Sequence, residues 1–154
     1  MGAVLIQKVF ETASEEETAK VAERLAAISK AGDVWALSGT LGAGKSVFAR
    51  AFIQFLTGAE EVPSPTFTLV QTYSAPNFDI YHYDLYRLKA AEEIFELGVE
   101  EAFYCGVCLV EWPEKMGEFT PRNMWLVDIQ IKEGRRIITV KAQNSEKSER
   151  LQNV

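Results

Sequence analysis

A glycine-punctuated turn in the first third of the chain constrains the fold more than any other feature. Residues 39–46 read GTLGAGKS, which matches the phosphate-binding consensus G-x-x-x-x-G-K-S/T without a departure. Glycines let the backbone curl so that successive N–H groups point at phosphate oxygens, and a helix N-terminus after the loop favours an anion. The motif carries this chemistry where a strand precedes it and a helix follows it.

The segments on either side of the turn provide both elements. Residues 34–37 form an apolar run of strand length, and apolar residues over 47–56 fall on one helical stripe that ends near Gly58. We expect Lys45 to reach the β- and γ-phosphates and Ser46 to place its hydroxyl on Mg²⁺. The nucleotide-binding residues predicted here are Thr40, Leu41, Gly42, Ala43, Gly44, Lys45, Ser46 and Val47.

The rest of the apolar pattern alternates strands with helices over the first two thirds of the chain. Strands are predicted at 4–10, 67–73, 78–84 and 107–112, helices from Ser14 to Gly32 and over 90–97, and a hairpin joining 125–131 to 136–140. This pattern favours an α/β fold, a three-layer P-loop NTPase-like sandwich with a mostly parallel central sheet and a C-terminal β-hairpin. One domain is expected over residues 1–142, followed by a polar tail at 143–154 that frays.

Two predicted strands carry a carboxylate at the end where a site is expected. Asp84 closes one strand, and Glu111 follows an apolar run in another. Ligands of open α/β sheets bind outside the carboxyl ends of the strands, and a carboxylate is costly to desolvate there without a cation. Asp84 and Glu111 are therefore candidate catalytic acids and Mg²⁺ ligands, unless they simply meet solvent. Thr66 is a candidate switch residue for γ-phosphate or Mg²⁺, although S-P-T is also an ordinary turn.

Charge limits the partners. The chain has 154 residues and a net charge of −6, which disfavours autonomous binding to nucleic acid or to an anionic membrane. No apolar run is long enough to span a membrane, so a cytoplasmic location is expected. Eight acids lie within residues 92–118 and six bases within 132–150. These segments form either two solvated faces or a docking face for a charged partner.

Two further features favour structural roles. Cys105 and Cys108 form a C-x-x-C, but the second cysteine enters a strand rather than a helix, and one histidine is too few for a zinc site. His82 alternates with Tyr81 and Tyr83 on a predicted strand. That position favours a polar residue on a strand face over a catalytic base.

The choice of nucleotide rests on which other motifs the sequence contains. The guanine-reading N-K-x-D signature is absent, which leaves ATP as the default, and nothing resembles the H-R-D loop of protein kinases. Two alternatives to an ATPase stay open. One is a small-molecule P-loop kinase, for which the chain is short, and the other is a nucleotide-dependent interaction module with negligible catalysis.

Four segments together resemble the TsaE (YjeE) family of bacterial proteins. They are GTLGAGKS at 39–46, SPTF at 64–67, HYDLYR at 82–87 and EWPE at 111–114, in the order and approximate spacing of the family. The resemblance implies an Mg²⁺-dependent ATPase of the pathway that makes N6-threonylcarbamoyladenosine (t6A) next to the anticodon of tRNA. It also implies that the protein acts with the TsaD–TsaB synthase, whose repeated turnover ATP binding and hydrolysis support.

The resemblance also implies residue roles. It assigns phosphate binding to Lys45 and the loop amides, Mg²⁺ to Ser46 and Glu111, a switch role to Thr66, and the second essential acid to Asp84. Family members often carry Asp and Thr where this chain has Thr40 and Ser46, and Ser46 keeps the hydroxyl that the expected Mg²⁺ contact needs.

Other implications concern the surroundings of the site. No arginine finger is obvious, and Arg87 is the nearest candidate in sequence. Trp112 follows Glu111 directly and is a candidate reporter of nucleotide binding. Contact with tRNA is expected to be indirect or secondary, with the basic residues 132–150 as the secondary candidate.

Overall fold

The computed structural model describes residues 6–40 and 42–154. Its strands are β1 (Ile6–Thr12), β2 (Val34–Gly39), β3 (Val70–Ser74), β4 (Asp79–Asp84), β5 (Val107–Glu111), β6 (Trp125–Lys132) and β7 (Arg135–Ala142). Its α-helices are α1 (Glu15–Ala27), α2 (Lys45–Thr57), α3 (Val99–Cys105) and α4 (Ser145–Gln152), and two 3-10 helices cover Ala91–Leu97 and Pro113–Phe119.

The seven strands form one mixed sheet in the order β1-β7-β6-β2-β5-β4-β3. The four strands β6, β2, β5 and β4 run parallel to one another, whereas β1, β7 and β3 join by antiparallel pairing. The α/β class is confirmed, but a mostly parallel sheet describes only these four central strands. Short turns explain two of these antiparallel pairings, β3 with β4 and β6 with β7, because a tight turn reverses the direction of the strand that follows it. The pairing of β1 with β7 joins the first and last strands, which no turn connects.

Helices cover both faces of the sheet, as the predicted three layers require. On β2, Trp35 and Leu37 belong to the core that contains α1 and α2, while Val34 and Ala36 belong to the core that contains α3 and the 3-10 helices. This alternation follows from the two-residue repeat of a strand. On the first face Trp35 stacks on Trp125, with ring centroids 4.5 Å apart.

The predicted start of the first helix is confirmed by its capping contacts. Ser14 Oγ accepts a hydrogen bond from the Glu17 amide at 3.2 Å, and Glu17 Oε1 accepts one from the Ala13 amide at 2.7 Å. The Ser14 bond satisfies one N–H group that the first helical turn leaves without a partner, and Glu17 reaches back to the amide just before the N-cap rather than to that of Ser14 itself. The helix ends at Ala27, before the predicted stop at Gly32.

Several predicted boundaries differ from the structure. Of the predicted strand 4–10, residues 4 and 5 lie outside the described residues, and β1 continues to Thr12. The predicted strand 67–73 begins only at Val70, because Leu69 has φ 70 in a turn closed by its amide bonding to Pro65. The predicted helix at 90–97 is a 3-10 helix, and α3 was not predicted. Within the described residues, no helix combines the length and hydropathy needed to cross a membrane.

The C-terminal segment, predicted as a fraying tail, contains helix α4. Asn144 caps this helix by accepting a hydrogen bond from the Lys147 amide at 2.8 Å. Arg150 donates to both carboxylate oxygens of Asp33, at 2.7 and 2.9 Å, and Leu151 is fully buried in the core. The segment was predicted to fray because it is polar in sequence, whereas its docking depends on few apolar side chains and on partners far away in the chain.

The docking of α4 makes a stability prediction. Leu151→Ala removes a fully buried side chain, so we expect it to lower the free energy of unfolding by about 2–5 kcal/mol. Urea denaturation monitored by circular dichroism measures the change. The matched control is Gln152→Ala at the exposed neighbouring position, which should fall within about 0.5 kcal/mol of the parent. Equal stability of the two variants would contradict the packed position of α4.

Candidate functional site

A cavity of about 550 Å³ lies where β2, β4 and β5 end. This volume is typical of small-molecule sites, which run from about 300 to 1,000 Å³. The lining residues come from the start of α1, the glycine-rich loop and α2, the 64–66 turn, the ends of β4 and β5, and the β6–β7 hairpin. They are Ala13, Ser14, Glu15, Thr18, Gly42, Ala43, Gly44, Lys45, Ser46, Val47, Ser64, Thr66, Asp84, Glu111, Trp112, Gly134 and Arg136.

The glycine-rich loop requires glycine at defined positions. Gly39 has φ 135, and a Cβ there would overlap the carbonyl oxygen of Ile129 on β6. Gly44 has φ 112 and forms the N-cap of α2, with open space where a Cβ would stand. Glycine at these two positions therefore allows β2 to pass close to β6 and the chain to turn sharply into α2.

The N-terminus of α2 is suited to an anion. Unlike α1, it has no side-chain cap and no acidic residue in its first turn. The first N–H groups of a helix have no intrahelical partner, and the helix dipole is positive at this end. An anionic group in the cavity would supply the acceptors that this helix lacks.

Lys45 supports the same conclusion from its own surroundings. Its side chain is buried, its Nζ donates to the Gly39 carbonyl at 3.4 Å, and Nζ lies 5.0 Å from the centre of the Trp112 ring. No ion pair among the described residues includes Lys45. A buried ammonium without a carboxylate partner is costly, and an anionic ligand would offset that cost.

Asp84 and Thr66 form one hydrogen-bonded unit beside the loop. Thr66 Oγ1 donates to Asp84 Oδ2 at 3.1 Å, and the Tyr86 amide donates to Asp84 Oδ1 at 3.1 Å. The Ser64 hydroxyl is 2.7 Å from the Thr66 hydroxyl. Through these bonds the end of β4 holds the 64–66 turn against the cavity, and both residues predicted there are brought together.

Glu111 lies beside Asp84 because β4 and β5 are parallel and these two residues are paired in register. Its Oε2 is 2.7 Å from Nε2 of His82, and both side chains are buried. The sequence prediction treated His82 as a polar residue on a strand face and did not connect it with Glu111. The available signal was spacing, since His82 stands two residues before Asp84 and so shares its face of the sheet.

Trp112 closes the site next to Glu111 in an unusual backbone conformation. It has φ 58 and ψ 51, in the left-handed region that costs a non-glycine residue about 1–2 kcal/mol. Its ring contacts Lys45 on one side and lies 4.8 Å from the Tyr86 ring. A strained residue over-determined by its neighbours is characteristic of functional sites.

Three residues weighed from the sequence lie elsewhere or are not described. The Thr40 hydroxyl donates to Gln130 at 2.6 Å and does not line the cavity, and Leu41 lies outside the described residues. Arg87, weighed as an arginine finger, lies over the Phe67 ring at 5.2 Å and is absent from the lining. Arg136 lines the cavity instead. No local motif indicated it, because only the sheet topology brings the hairpin there.

The donor set fits Mg²⁺ as a companion of a phosphate ligand. Among residues 6–40 and 42–154, no three or more His, Cys, Asp or Glu side chains form a group that could hold a metal ion. Ser46, Asp84 and Glu111 nevertheless line one cavity. Mg²⁺ usually takes one or two carboxylates and fills its other positions with waters and substrate phosphates. The residues present therefore suit a metal that arrives with a nucleotide.

The two cysteines lie outside this chemistry. Cys108 is buried in β5, and burial raises the pKa of its thiol, whereas Cys105 is exposed and donates to the Glu101 carbonyl at 3.2 Å. Both are free thiols. Neither is among the residues that line the cavity.

The basic segment 132–150 is partly neutralised within the chain. Arg150 and Lys147 both face Asp33, and Arg135 pairs with Glu11 at 2.6 Å. Three of the six basic residues are therefore engaged in ion pairs. The segment does not present one continuous free basic face.

The fold and the cavity define a class of small α/β proteins with a site at the carboxyl edge of the central parallel strands. Residues 12–138 match the family model described as Threonylcarbamoyl adenosine biosynthesis protein TsaE. The tRNA threonylcarbamoyladenosine biosynthesis protein TsaE of Rickettsia conorii is 45% identical over 140 residues, covering 88% of this chain and 80% of that protein. The chain belongs to the TsaE family.

Other relatives agree with this assignment. The protein of the same name from Bacillus subtilis is 41% identical over 118 residues, covering 76% of this chain and 73% of its own length. The crystal structure of Bacillus subtilis YdiB superimposes with a TM-score of 0.80 at 31% identity, covering 98% of this chain and 95% of that chain.

Proposed function

We propose that this chain binds ATP with Mg²⁺ in the cavity and hydrolyses it as an accessory protein in t6A formation on tRNA. The names of its relatives support the pathway. The observation that carries the ATPase proposal is the placement of three buried charged residues, Lys45, Asp84 and Glu111, around one cavity at an uncapped helix N-terminus.

In this proposal the phosphates take the place of contacts that the loop now makes with itself. Lys45 Nζ would leave the Gly39 carbonyl for the β- and γ-phosphates, and the first N–H groups of α2 would donate to the same oxygens. The nucleotide would thus supply the anionic partner that the Lys45 ammonium lacks. The proximity of Nζ to Trp112 makes that tryptophan a reporter of the change.

Both acids would serve the metal, and Glu111 would also act on the attacking water. Ser46, Asp84 and Glu111 would hold Mg²⁺, which when bound neutralises charge that develops on the transferred phosphoryl group. Asp84 is already bonded to Thr66 and to the Tyr86 amide, which favours a holding role. Glu111 has one oxygen engaged with His82, so its other oxygen is suited to orient the attacking water.

We propose that the TsaD–TsaB synthase completes this site. Arg87 lies over Phe67 outside the cavity lining, so it does not serve as an arginine finger in this arrangement. An arginine supplied by a partner raises phosphoryl-transfer rates about 10³–10⁵-fold in related chemistry. Slow hydrolysis by the isolated chain and faster hydrolysis with the synthase follow from this proposal.

Lys45→Ala tests nucleotide binding. We expect it to abolish ATP binding, because it removes the buried cation that faces the phosphates. Isothermal calorimetry with Mg²⁺ measures the affinity. The change in tryptophan emission on addition of ATP, which a Trp112→Phe variant should lose, gives a second readout. Lys89→Ala, at an exposed lysine outside the cavity lining, is the control and should bind normally. Retained affinity in Lys45→Ala would remove the central claim.

Glu111→Gln tests the chemical step. The change keeps the shape of the side chain and removes its charge, so we expect ATP to bind while the hydrolysis rate falls by about 10²–10⁴-fold. Phosphate release in a single-turnover assay measures the rate. Glu114→Gln, at an exposed position in the same segment, should leave the rate unchanged. Normal turnover in Glu111→Gln would move the catalytic role to Asp84.

Addition of TsaD–TsaB tests the partner. We expect ATP turnover by the purified chain to rise on adding the synthase, and the chain to be retained by the immobilised synthase to different extents with ATP and with ADP. Turnover that is unaffected by the synthase would contradict the proposal. If Arg136→Ala lost basal ATP turnover and the synthase did not raise wild-type turnover, the catalytic arginine would be Arg136 of this chain instead.

A further inference from the structure

His82 is a buried titratable residue to which the proposed mechanism assigns no direct role. Its side chain is 4% exposed, and its Nε2 is 2.7 Å from Glu111 Oε2. Its other ring nitrogen, Nδ1, is buried without a hydrogen-bond partner. One nitrogen of this ring thus makes a short bond to the proposed catalytic carboxylate, and the other makes none.

The bond has a defined direction. The proposed role uses Glu111 in its ionised form, which accepts hydrogen bonds and does not donate them, so Nε2 of His82 then carries the hydrogen in the 2.7 Å contact. A donor on Oε2 restricts rotation of the Glu111 carboxyl group and leaves Oε1 as its other acceptor oxygen. Hydrogen bonds to an ionised group are about twice as strong as neutral ones, which suits a positioning contact.

The sheet register explains how His82 comes to face Glu111. Asp84 is paired with Glu111, and His82 stands two residues earlier on β4, on the same face of the sheet. Asp84 is occupied by Thr66 and the Tyr86 amide. His82 therefore reaches Glu111 from the protein interior, on a neighbouring strand, without taking a place in the cavity lining.

We propose that His82 is a positioning residue for the chemical step, holding Glu111 so that one carboxylate oxygen faces the cavity. This inference rests on the proposed ATPase function. It predicts that His82 affects the rate of hydrolysis and leaves ATP affinity unchanged, since the contact engages Glu111 rather than the phosphate-binding loop. A merely structural histidine would instead affect stability and both kinetic parameters together.

Three substitutions separate these roles by the position of the donor. His82→Gln places an amide N–H near the position of Nε2, His82→Asn places one near Nδ1, and His82→Leu provides none. We expect His82→Leu and His82→Asn to lower kcat about 10–100-fold, the usual cost of losing a hydrogen-bond partner that orients a functional side chain. His82→Gln should recover most of the rate. KM for ATP should stay within about twofold in all three, because only the chemical step loses an interaction.

A double-mutant cycle identifies the target of the contact. In a Glu111→Gln background, His82→Leu should add less than about threefold to the loss in kcat, because residues that act as a unit are not additive. Turnover is measured with Mg²⁺ and TsaD–TsaB, and each variant is first checked by thermal unfolding. Equal rates for His82→Asn and His82→Gln, or a full additional loss in the double variant, would overturn the inference.

The outcomes distinguish this inference from the proposed function. Wild-type hydrolysis with an unchanged His82→Asn rate would overturn the role of His82 alone. Absence of wild-type hydrolysis, with and without the synthase, would remove the proposed function and this inference together. Hydrolysis that falls in step with unfolding temperature across all three variants would assign His82 a structural role.

Discussion

The parallel pairing of β2, β5 and β4 is the constraint on which the candidate site depends. Parallel strands end at the same edge of a sheet, so the chain after β2, Asp84 at the end of β4 and Glu111 at the end of β5 converge there. The antiparallel hairpins at the sheet margins extend the sheet around this centre, and the β6–β7 hairpin carries Arg136 to the cavity. The architecture therefore decides which residues can act together.

Charge balance connects this architecture with the proposed chemistry. The cavity gathers two buried carboxylates and one buried ammonium, and Lys45 forms no ion pair with either acid in the described structure. Asp84 is instead held by the Thr66 hydroxyl and a backbone amide, and Glu111 is held by the His82 ring. Such an arrangement leaves Lys45 available for phosphate and leaves the acids available for a cation and a water, which agrees with the proposed use of both.

The predictable part of the molecule is the part whose signal is local. The GTLGAGKS segment, the helix cap at Ser14 and the apolar run into Glu111 each lie within a few residues, and in its described residues the chain forms a turn, a helix start and a strand there. The less predictable elements depend on distant partners. Helix α4 docks through Arg150 to Asp33, 117 residues away, and the turn that ends at Leu69 is attached to β4 by the Asp84 amide, which donates to the Leu69 carbonyl.

The sequence by itself determined that a glycine-rich turn opens into a helix, because consecutive residues set that backbone, and it identified Asp84 and Glu111 as acids at strand ends. Only the tertiary structure decided what holds those acids. His82 and Glu111 are 29 residues apart and meet because β4 and β5 align in register. A one-residue shift of that register would turn His82 to the opposite face of the sheet, so a composition or motif cannot specify the contact.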